Sequence, residues 1–401
     1  MPDALTIQPL DVEALRADTP GTAHRIHLNN AGAALMPLPV IAAMKHHLDR
    51  EAMMGGYEAA DAEHEAVSAV YRSVARLINA DVDEIALTEN ATVAWQMASY
   101  AQSFQPGDRI LTARAEYAAN YVAFLQMARR TGVVIEVIPD DEAGVLDPVA
   151  LDAMIDDRVK LIAITWIPTN GGLINPAAAV GKIARRHGVT YLLDACQAVG
   201  QMPIDVAELG CDLLAATGRK LLRGPRGTGF LHVRRALLDQ LEPAMIDHFG
   251  APWVAPDRYA LRPDARRFET WENNYASRLG LGAAIDYALD LGVVRIEARC
   301  RLLACRLRAE LGTISRVTLH DLGRDRAAIV SFSVHDLNAE GIRSELARKA
   351  INISVSRPSS TLLDASARSL PTVIRVSPHY YNSEDELDRF VGAVHDLIGS
   401  Q

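Results

Sequence analysis

The chain has 401 residues, a net charge of −9, 49% hydrophobic residues and 23% charged residues, the composition of a soluble globular protein large enough for two domains. The acidic balance and the lack of a dense Lys or Arg run argue against a nucleic-acid partner, because binding a phosphate backbone requires a basic surface. No apolar stretch reaches the ~20 residues of a membrane span, and the N-terminal residues lack the pattern of a signal peptide. We therefore expect a cytoplasmic protein with no membrane partner.

Neither a disulfide framework nor a metal site is expected. Four cysteines are too few for a framework in a chain of this length. Cys300 and Cys305 lie in a helical, Arg-rich run, where their spacing turns them ~140° apart around the helix axis. Cys211 opens a buried strand and is predicted to be a small core residue. The histidines show no HExxH or paired spacing, so no metal is predicted.

From about residue 81 to residue 233, short apolar runs alternate with helical patterns. Strands are predicted at 133–138, 160–165, 190–195 and 212–217, and helices near 120–131, 147–156 and 176–187. The last helix is predicted to take Asn175 as its N-cap and to end at Gly188. Strands that are apolar on both faces and separated by helices indicate an α/β domain with a mostly parallel sheet.

After about residue 286 the pattern changes to that of a smaller α+β domain. A long helical segment is predicted at 281–312, strands at 329–335 and 372–377, and helices near 338–349 and 384–399. The polar, Pro-bounded segment 356–371 is predicted to be a mobile loop. We expect an N-terminal segment (1–45) that contributes to the small domain and the active site, a large domain (46–285) and a small C-terminal domain (286–401).

Polar residues follow the predicted strands of the large domain, at the sheet edge where ligands of parallel α/β sheets bind. They are Thr169, Asn170, Asp194, Gln197, Thr217, Arg219 and Lys220. A helix that begins at Asn90-Ala91-Thr92 adds an anion site at the same edge. Alone, Lys220 could be a solvated loop lysine, Asp194 a helix cap and Thr92 an N-cap.

Together these groups match the needs of pyridoxal 5′-phosphate. That cofactor requires a lysine for a Schiff base, an acid for the pyridine nitrogen, a phosphate cradle and a flat partner for its ring. Gly224, Gly227 and Gly229 do not indicate a dinucleotide site, because the strand, helix and later acid of such a site are missing.

The blocks "LLDACQAVGQMPIDV" and "CDLLAATGRKLLRGPRGTGFL" place Lys220 26 residues after Asp194. With "HLNNAGAALMP" from residue 27 and "HYYNSEDELDRF" near the end, the chain resembles the class V aminotransferase family of fold-type I pyridoxal phosphate enzymes. That group includes cysteine desulfurases, isopenicillin N epimerase-like proteins and C–S lyases. The resemblance covers nearly the whole chain and implies the fold-type I architecture, in which a large domain with a mostly parallel sheet is joined to a smaller α+β domain.

The resemblance also implies a role for each matched residue. Lys220 would carry the cofactor as a Schiff base, Asp194 would pair with the ring nitrogen, and Tyr117 would stack on the ring where desulfurases have histidine. Gln197, with either Thr169 or Asn170, would contact the ring hydroxyl. The phosphate would be bound by Ala91, Thr92, Thr217 and Arg219, and the substrate by Arg375, Asn30 and Arg357.

Two positions depart from the family pattern. Desulfurases carry a cysteine on a mobile loop, whereas 356–371 has Ser359 and Ser360 and no cysteine; Cys196 matches a small packing residue. The family often offers a threonine to the phosphate of the partner subunit, but "FETWENN" has Glu272 there, and Asn273 could replace it. A homodimer with the active site at the interface is still expected.

The reaction expected from the resemblance begins with transfer of the Cα proton of an amino acid to Lys220. Because the loop cysteine is missing, we favour a C–S lyase that eliminates an intact sulfur-bearing group from a cysteine-derived substrate. An epimerase and an aminotransferase are the alternatives. A non-catalytic scaffold is disfavoured, since both Lys220 and Asp194 are present.

Overall fold

The computed structural model describes residues 8–399. Residues 1–7 of the expected N-terminal segment and residues 400–401 of the expected small domain lie outside the described residues. The strands are β1 Ile26–His27, β2 Ile85–Thr88, β3 Arg109–Thr112, β4 Val134–Val137, β5 Val159–Thr165, β6 Thr190–Asp194, β7 Leu213–Thr217, β8 Gly229–Val233, β9 Trp253–Ala255, β10 Arg258–Tyr259, β11 Val317–Leu319, β12 Val330–Val334, β13 Ile351–Asn352, β14 Ser354–Ser356 and β15 Val373–Val376.

The helices follow in the same order along the chain. They are α1 Val12–Ala17, α2 Leu38–Met54, α3 Gly56–Ala62, α4 His64–Ile78, α5 Ala91–Tyr100, α6 Ala118–Thr131, α7 Pro148–Met154, α8 Ala177–His187, α9 Val206–Leu209, α10 Arg235–Leu238, α11 Tyr275–Leu291, α12 Val293–Gly312, α13 Ala339–Arg348, α14 Leu362–Ala367 and α15 Glu384–Gly399. Short 3₁₀ helices cover Pro20–Ala23, Val82–Glu84, Ala265–Phe268 and Pro358–Thr361. Among residues 8–399, no helix has both the length and the apolar composition that a bilayer crossing requires.

The large sheet has seven strands in the order β2-β8-β7-β6-β5-β3-β4. Its pairs are parallel from β4 to β7, and only β8 runs against both of its neighbours. The predicted mostly parallel sheet is therefore confirmed. The sequence interpretation did not include β2, β3 and β8, which are strands of only four or five residues.

Successive residues of the central strands pack into two different cores, one on each face of the sheet. On β6, Leu193 belongs to the core that also holds Ile164, whereas Leu192 belongs to the core that holds Trp95 and Phe124. Because both faces are covered, the strands are apolar throughout, and their polar residues come where the strands end. This arrangement directs the polar groups to one edge of the sheet.

A second, antiparallel sheet of order β11-β12-β15-β14 forms the small C-terminal part. The N-terminal segment joins it, because β1 pairs in parallel with β13, and Asn29 bridges to Ser377. The limits expected at residues 45 and 285 fall inside α2 and α11.

Three local predictions differ from the structure. The segment 281–312 is not one helix, because Gly292, at φ 84°, separates α11 from α12. Asn175 is not the N-cap of α8; Pro176 takes that position, while the Asn175 side chain donates to the Thr165 carbonyl (2.8 Å) and fixes the end of β5. The segment 356–371 is not a loop without structure, since it forms a 3₁₀ turn and α14.

Arg223 lies at the junction of three parts of the chain. It is fully buried at a left-handed φ of 63°, three residues after Lys220. Its guanidinium donates to Thr19 Oγ1 (2.6 Å) and to Tyr380 Oη (2.7 Å), and lies 4.5 Å from the ring centre of Tyr381. No carboxylate pairs with it among residues 8–399, so neutral acceptors and aromatic faces hold this cation.

Candidate active site

A cavity of about 500 Å³ opens at the carboxyl ends of β5, β6 and β7, beside the first turn of α5. Polar strand-end residues line it because the strands themselves are filled with apolar side chains. Its lining includes these predicted site residues: Ala91, Thr92, Tyr117, Thr169, Asp194, Gln197, Thr217, Arg219 and Lys220. The cavity also contains Arg226 and Asn120, which the sequence interpretation did not select.

Asp194 is the last residue of β6 and is almost fully buried. Its Oδ1 accepts a hydrogen bond from the Cys196 backbone (2.9 Å), and its Oδ2 accepts one from the Asn120 amide (2.9 Å). No Lys, Arg or His within residues 8–399 forms an ion pair with it. The side chain is thus oriented by neutral donors, and both of its oxygens lie close to the cavity that a cationic ligand could enter.

A second carboxylate, Glu116, lies behind Asp194 and was missed by sequence reasoning. The same Asn120 amide donates to Glu116 Oε1 (2.8 Å), so it bridges the two acids. Burial, with the neighbouring Asp194 charge, raises the pKa of Glu116 to about 7. The signal available in the sequence was Glu116 directly before Tyr117, with Asn120 one helical turn later.

Gln197 has a buried oxygen with no hydrogen-bond partner. Its Nε2 donates to the Ala31 carbonyl (3.1 Å), while Oε1 lacks a donor within the described chain. Such an orphan acceptor is costly unless a ligand satisfies it. A ring hydroxyl placed over the cavity floor would do so, which fits the predicted contact.

The first turn of α5 offers free backbone donors to an anion. The Asn90 side chain caps the helix by accepting from Val93 N (3.0 Å), which leaves the N–H groups of Ala91 and Thr92 directed out of the first turn. Thr217 and Arg219 lie on the same cavity, but the Thr217 hydroxyl donates to the Thr228 carbonyl (3.1 Å). Arg219 donates to the Gly32 carbonyl and so also reaches the N-terminal segment.

Lys220 is half-buried between these two ends of the cavity. Burial is the main effect on its ammonium and lowers the pKa, while the neighbouring Asp194 carboxylate acts in the opposite direction. The loop that carries it is packed against residue 200: a Cβ on Gly200 would lie 2.3 Å from the Leu221 backbone. The Leu221 carbonyl also accepts a hydrogen bond from His379 Nε2 (2.7 Å), which fixes the backbone beside the lysine.

Arg375 on β15 lies behind the cavity wall, and its partners within residues 8–399 are all neutral. It donates to Thr169 Oγ1 (2.6 Å), to Ser354 Oγ (3.0 Å) and, more weakly, to Asn29 Oδ1 (3.4 Å). Burial and the nearby Arg219 lower the pKa of Arg375 to about 10, so it is still a cation at neutral pH. A buried guanidinium without a carboxylate partner fits an anionic substrate.

Besides Arg375, three predicted residues do not line the cavity. The Asn170 amide donates to Asp364 on α14 (2.7 Å), so only Thr169 of this pair faces the cavity. Asn30 is fully buried, and its amide donates to the carbonyls of Ser377 and His27. Arg357 is exposed and pairs with Glu340 (2.8 Å).

Tyr117 lies at the mouth of the cavity with 36% of its surface exposed, at the N-cap of α6.

A neighbouring depression shares Glu89 and Gly227 with the cavity and contains Glu272 and Asn273. The Asn273 amide donates to the carbonyls of residues 270 and 271 (2.9 Å each), so its N–H groups are already engaged.

These residues fit pyridoxal 5′-phosphate: a lysine of lowered pKa, an unpaired buried acid, an orphan acceptor and a helix N-terminus surround one cavity. Asp194 would hold the ring nitrogen, Gln197 the ring hydroxyl, α5 the phosphate and Lys220 the reactive carbon. The bound cofactor would supply an electron sink for a negative charge that develops on the substrate Cα.

The comparisons with known proteins agree with this fit. The chain is 32% identical over 408 residues to a probable cysteine desulfurase of Xylella fastidiosa, covering 97% of both chains. It is 32% identical to a cysteine desulfurase of Yersinia pestis, covering 96% of this chain and 98% of that one. The apo structure of a cysteine desulfurase from Thermococcus onnurineus superposes with a TM-score of 0.91 at 28% identity, covering 97% of this chain and 98% of that one.

The family profile "Aminotransferase class-V" matches residues 26–390, nearly the whole chain. The matched range includes Lys220, Asp194, the first turn of α5 and Arg375. The protein therefore belongs to the class V aminotransferase family of fold-type I enzymes, with pyridoxal 5′-phosphate as its cofactor.

Proposed function

We propose that the protein is a C–S lyase that eliminates a sulfur-bearing group from Cβ of a cysteine-derived amino acid, without forming a protein persulfide. One observation carries the proposal. The cavity has residues suited to the cofactor and, behind its wall, an arginine suited to a carboxylate, but no cysteine placed and ionised to act as a nucleophile. The relatives named cysteine desulfurase support a sulfur amino acid as the substrate class.

In this proposal Arg375 binds the substrate carboxylate and Thr169 orients the guanidinium. Lys220, whose pKa is lowered by burial, accepts the Cα proton as a neutral amine. The Cβ–S bond then breaks, and its electron pair leaves with sulfur as a thiolate. The remaining dehydroamino acid hydrolyses in water to pyruvate and ammonia.

The cysteines of the chain support an intact leaving group. Cys196 lines the cavity, but burial and the Asp194 charge raise the pKa of its thiol, so the nucleophilic thiolate is disfavoured. Burial raises the pKa of Cys211 and of Cys300 to about 12. Cys305 is exposed on α12, a helix that contributes no residue to the cavity.

The homodimer is also part of the proposal. The depression that holds Glu272 and Asn273 adjoins the cavity through Glu89 and Gly227. A partner subunit seated there would cover the exposed side of the cavity. With the division into an N-terminal segment, a large domain and a small domain, this gives an active site enclosed by several parts of the assembly.

The decisive experiment incubates the holoenzyme with cysteine, cystine, S-conjugates and sulfoxides of cysteine, and with common amino acids as controls. Pyruvate release with the sulfur group intact supports the lyase. Inversion at Cα without release would instead establish the epimerase, and amino transfer to an added keto acid the aminotransferase. Alanine formed together with a protein persulfide would establish desulfurase chemistry.

Two variants make this screen specific. Lys220→Ala is expected to lower pyruvate release by about 10³-fold or more and to lose the borohydride-fixed attachment of the cofactor to the peptide that contains residue 220. Cys196→Ser is expected to keep most of the turnover. A persulfide on Cys196, or loss of turnover in this serine variant, would overturn the persulfide-free mechanism.

A further inference from the structure

Glu116 is a buried carboxylate for which the proposed reaction has no use. Five donors surround it from β3, β5 and α6. They are the backbone N–H groups of Tyr117 (2.9 Å) and Thr165 (2.9 Å), the hydroxyls of Thr112 (3.1 Å) and Thr165, and the Asn120 amide (2.8 Å). Such a dense set of donors around one side chain calls for an explanation beyond packing.

The donor set is built for the carboxylate anion. Oε1 accepts the N–H of Tyr117, and Oε2 accepts the N–H of Thr165, so each oxygen faces a backbone donor that cannot reverse its direction. A Gln amide would turn its NH₂ group toward one of these backbone donors, whereas a protonated carboxyl avoids this only by turning its hydrogen toward the hydroxyl of Thr112 or Thr165. The backbone donors therefore favour the anion, while burial opposes the charge and raises the pKa.

The anion acts on Asp194 through one shared side chain. Asn120 donates both to Glu116 Oε1 (2.8 Å) and to Asp194 Oδ2 (2.9 Å), which sets the angle of the Asp194 carboxylate at the cavity floor. Neither acid has an ion-pair partner among Lys, Arg and His of residues 8–399. The two acids therefore lie side by side without an ion-pair partner among the described residues, and a cationic ligand would relieve the repulsion between them.

We propose that Glu116 is a positioning residue that orients Asp194 through Asn120 and supplies a second negative charge, so that the pair together keeps the cofactor ring nitrogen protonated. Asp194 makes the direct contact, and Glu116 acts from behind it. The inference rests on the cofactor placement given above, and it does not depend on which bond of the substrate breaks.

A pH effect follows from the charges around Glu116. Asp194 on β6 is the charged group that faces it, while its neighbours on β3, β5 and α6 are hydroxyl, amide and backbone groups that do not titrate in this range. Without a cationic ligand the pKa of Glu116 is raised to about 7. A protonated ring nitrogen would lower that pKa, so cofactor binding releases a proton and Glu116 strengthens binding as the pH rises through about 7.

The test measures the dissociation constant of pyridoxal 5′-phosphate by titrating apo protein between pH 6 and pH 8.5, in wild type and Glu116→Gln. Because titration of free cofactor and of Lys220 is common to both proteins, the ratio of the two constants isolates Glu116. The ratio is expected to increase about ten-fold across this range, with the variant weaker at the alkaline end. The absorbance of the bound cofactor is expected to shift toward the form with an unprotonated ring nitrogen in the variant.

Asp212→Asn is the matched control. Asp212 is a buried carboxylate at the opposite end of β6 and β7, where it accepts from Tyr191 N (2.9 Å) and pairs with Arg234 (2.6 Å). It is expected to lower the melting temperature without a pH-dependent change in cofactor affinity. Asn120→Ala keeps the Glu116 charge and removes the bridge, so it is expected to weaken binding at every pH and to keep the pH step.

The outcomes separate this inference from the proposed function. If Glu116→Gln melts cooperatively but binds the cofactor with a constant ratio to wild type, Glu116 has only a structural role and the inference is wrong. If Glu116→Gln does not fold, Thr112→Val replaces it, because it removes one donor to Glu116 Oε2 and so raises the pKa of this carboxyl. The pH step in cofactor binding should then move to higher pH, and an unchanged step overturns the inference. A wild-type protein that binds no cofactor would overturn the active-site assignment itself.

Discussion

The two ends of the cavity are both charged and both unpaired, but with opposite sign. At the proposed ring end, Asp194 and Glu116 share one neutral amide and form no ion pair with a Lys, Arg or His of residues 8–399. At the proposed substrate end, Arg375 contacts hydroxyl and carbonyl oxygens. Each end thus contains a buried charge that protein groups orient and do not neutralise.

The two ends of the cavity favour ligand groups of opposite charge before any reaction occurs. A buried charge left without a partner destabilises the empty protein, and a ligand of opposite charge offsets that cost. The ring end is suited to a protonated nitrogen and the substrate end to a carboxylate. In the proposed arrangement the cofactor would offset the buried charge at the ring end and an amino acid that at the substrate end, so both ligands are needed to offset both.

Removing the Asp194 charge at the proposed ring end is expected to have the largest effect on the reaction. Asp194→Asn removes the charge that stabilises the protonated ring, so exchange of the substrate Cα proton in heavy water should fall by about 10²- to 10³-fold. Cofactor should still bind, because the first turn of α5 and Lys220 are unchanged. Proton exchange followed by NMR measures the effect; an unchanged rate would mean that the ring nitrogen has another partner.

Breaking the positive end is expected to have a smaller effect and to act on substrate binding. Arg375→Gln removes a charge-assisted contact to the substrate carboxylate, so kcat/KM should fall by about 10- to 100-fold, mainly through KM. Arg357→Gln is the matched control, because Arg357 is exposed and pairs with Glu340. Equal losses in the two variants would contradict the assignment of Arg375.

His379 sharpens the comparison because it supports the lysine loop and contacts neither end. Its Nδ1 accepts from Tyr380 N (3.0 Å), so the ring is neutral, and burial lowers its pKa to about 3 from the usual 6.5. The unfolded chain therefore binds a proton that the folded chain does not, and stability is lost as the pH falls below about 6.5, by at most ~1.4 kcal/mol per pH unit.

The measurement is the thermal unfolding midpoint between pH 5 and pH 8. His379→Gln should lower the midpoint at pH 8 but show a shallower decline toward pH 5 than the wild type. His335→Gln, at a histidine whose side chain is 78% exposed, should follow the wild-type curve. Parallel curves for His379→Gln and wild type would contradict a neutral buried histidine.

The sequence predicted the strand-end residues of the cavity more readily than those that come from irregular segments, and the reason is physical. Asp194 and Thr217 end strands that are apolar on both faces, so their side chains must emerge at the sheet edge. Several residues predicted to contact the substrate come from irregular segments, where neighbouring side chains point in directions that no periodic pattern predicts. Asn30 turns into the protein while its neighbour Asn29 reaches Arg375, and no pattern in the sequence marks that difference.

The remaining misses have the same origin in tertiary contacts. Segment 356–371 is polar and Pro-bounded, yet α14 is fixed because the buried Asp364 accepts from Asn170, far away in the sequence. Glu116 was not selected because a charged residue just before a helix normally indicates a solvated turn. Its donors come from β3 and β5 as well as from the start of α6, the helix that follows it. Contacts of this kind depend on strand order, which the sequence did not reveal.

Arg223 has a consequence for how the protein is made. Its guanidinium is held by Thr19 near the start of the chain and by Tyr380 near the end. A growing chain that ends before Tyr380 already contains Asp194 and Lys220. It lacks the rings of Tyr380 and Tyr381, which pack against Arg223 just after Lys220. The segment after Lys220 therefore takes its final packing only once residues from both the N-terminal and the C-terminal parts of the chain are in place.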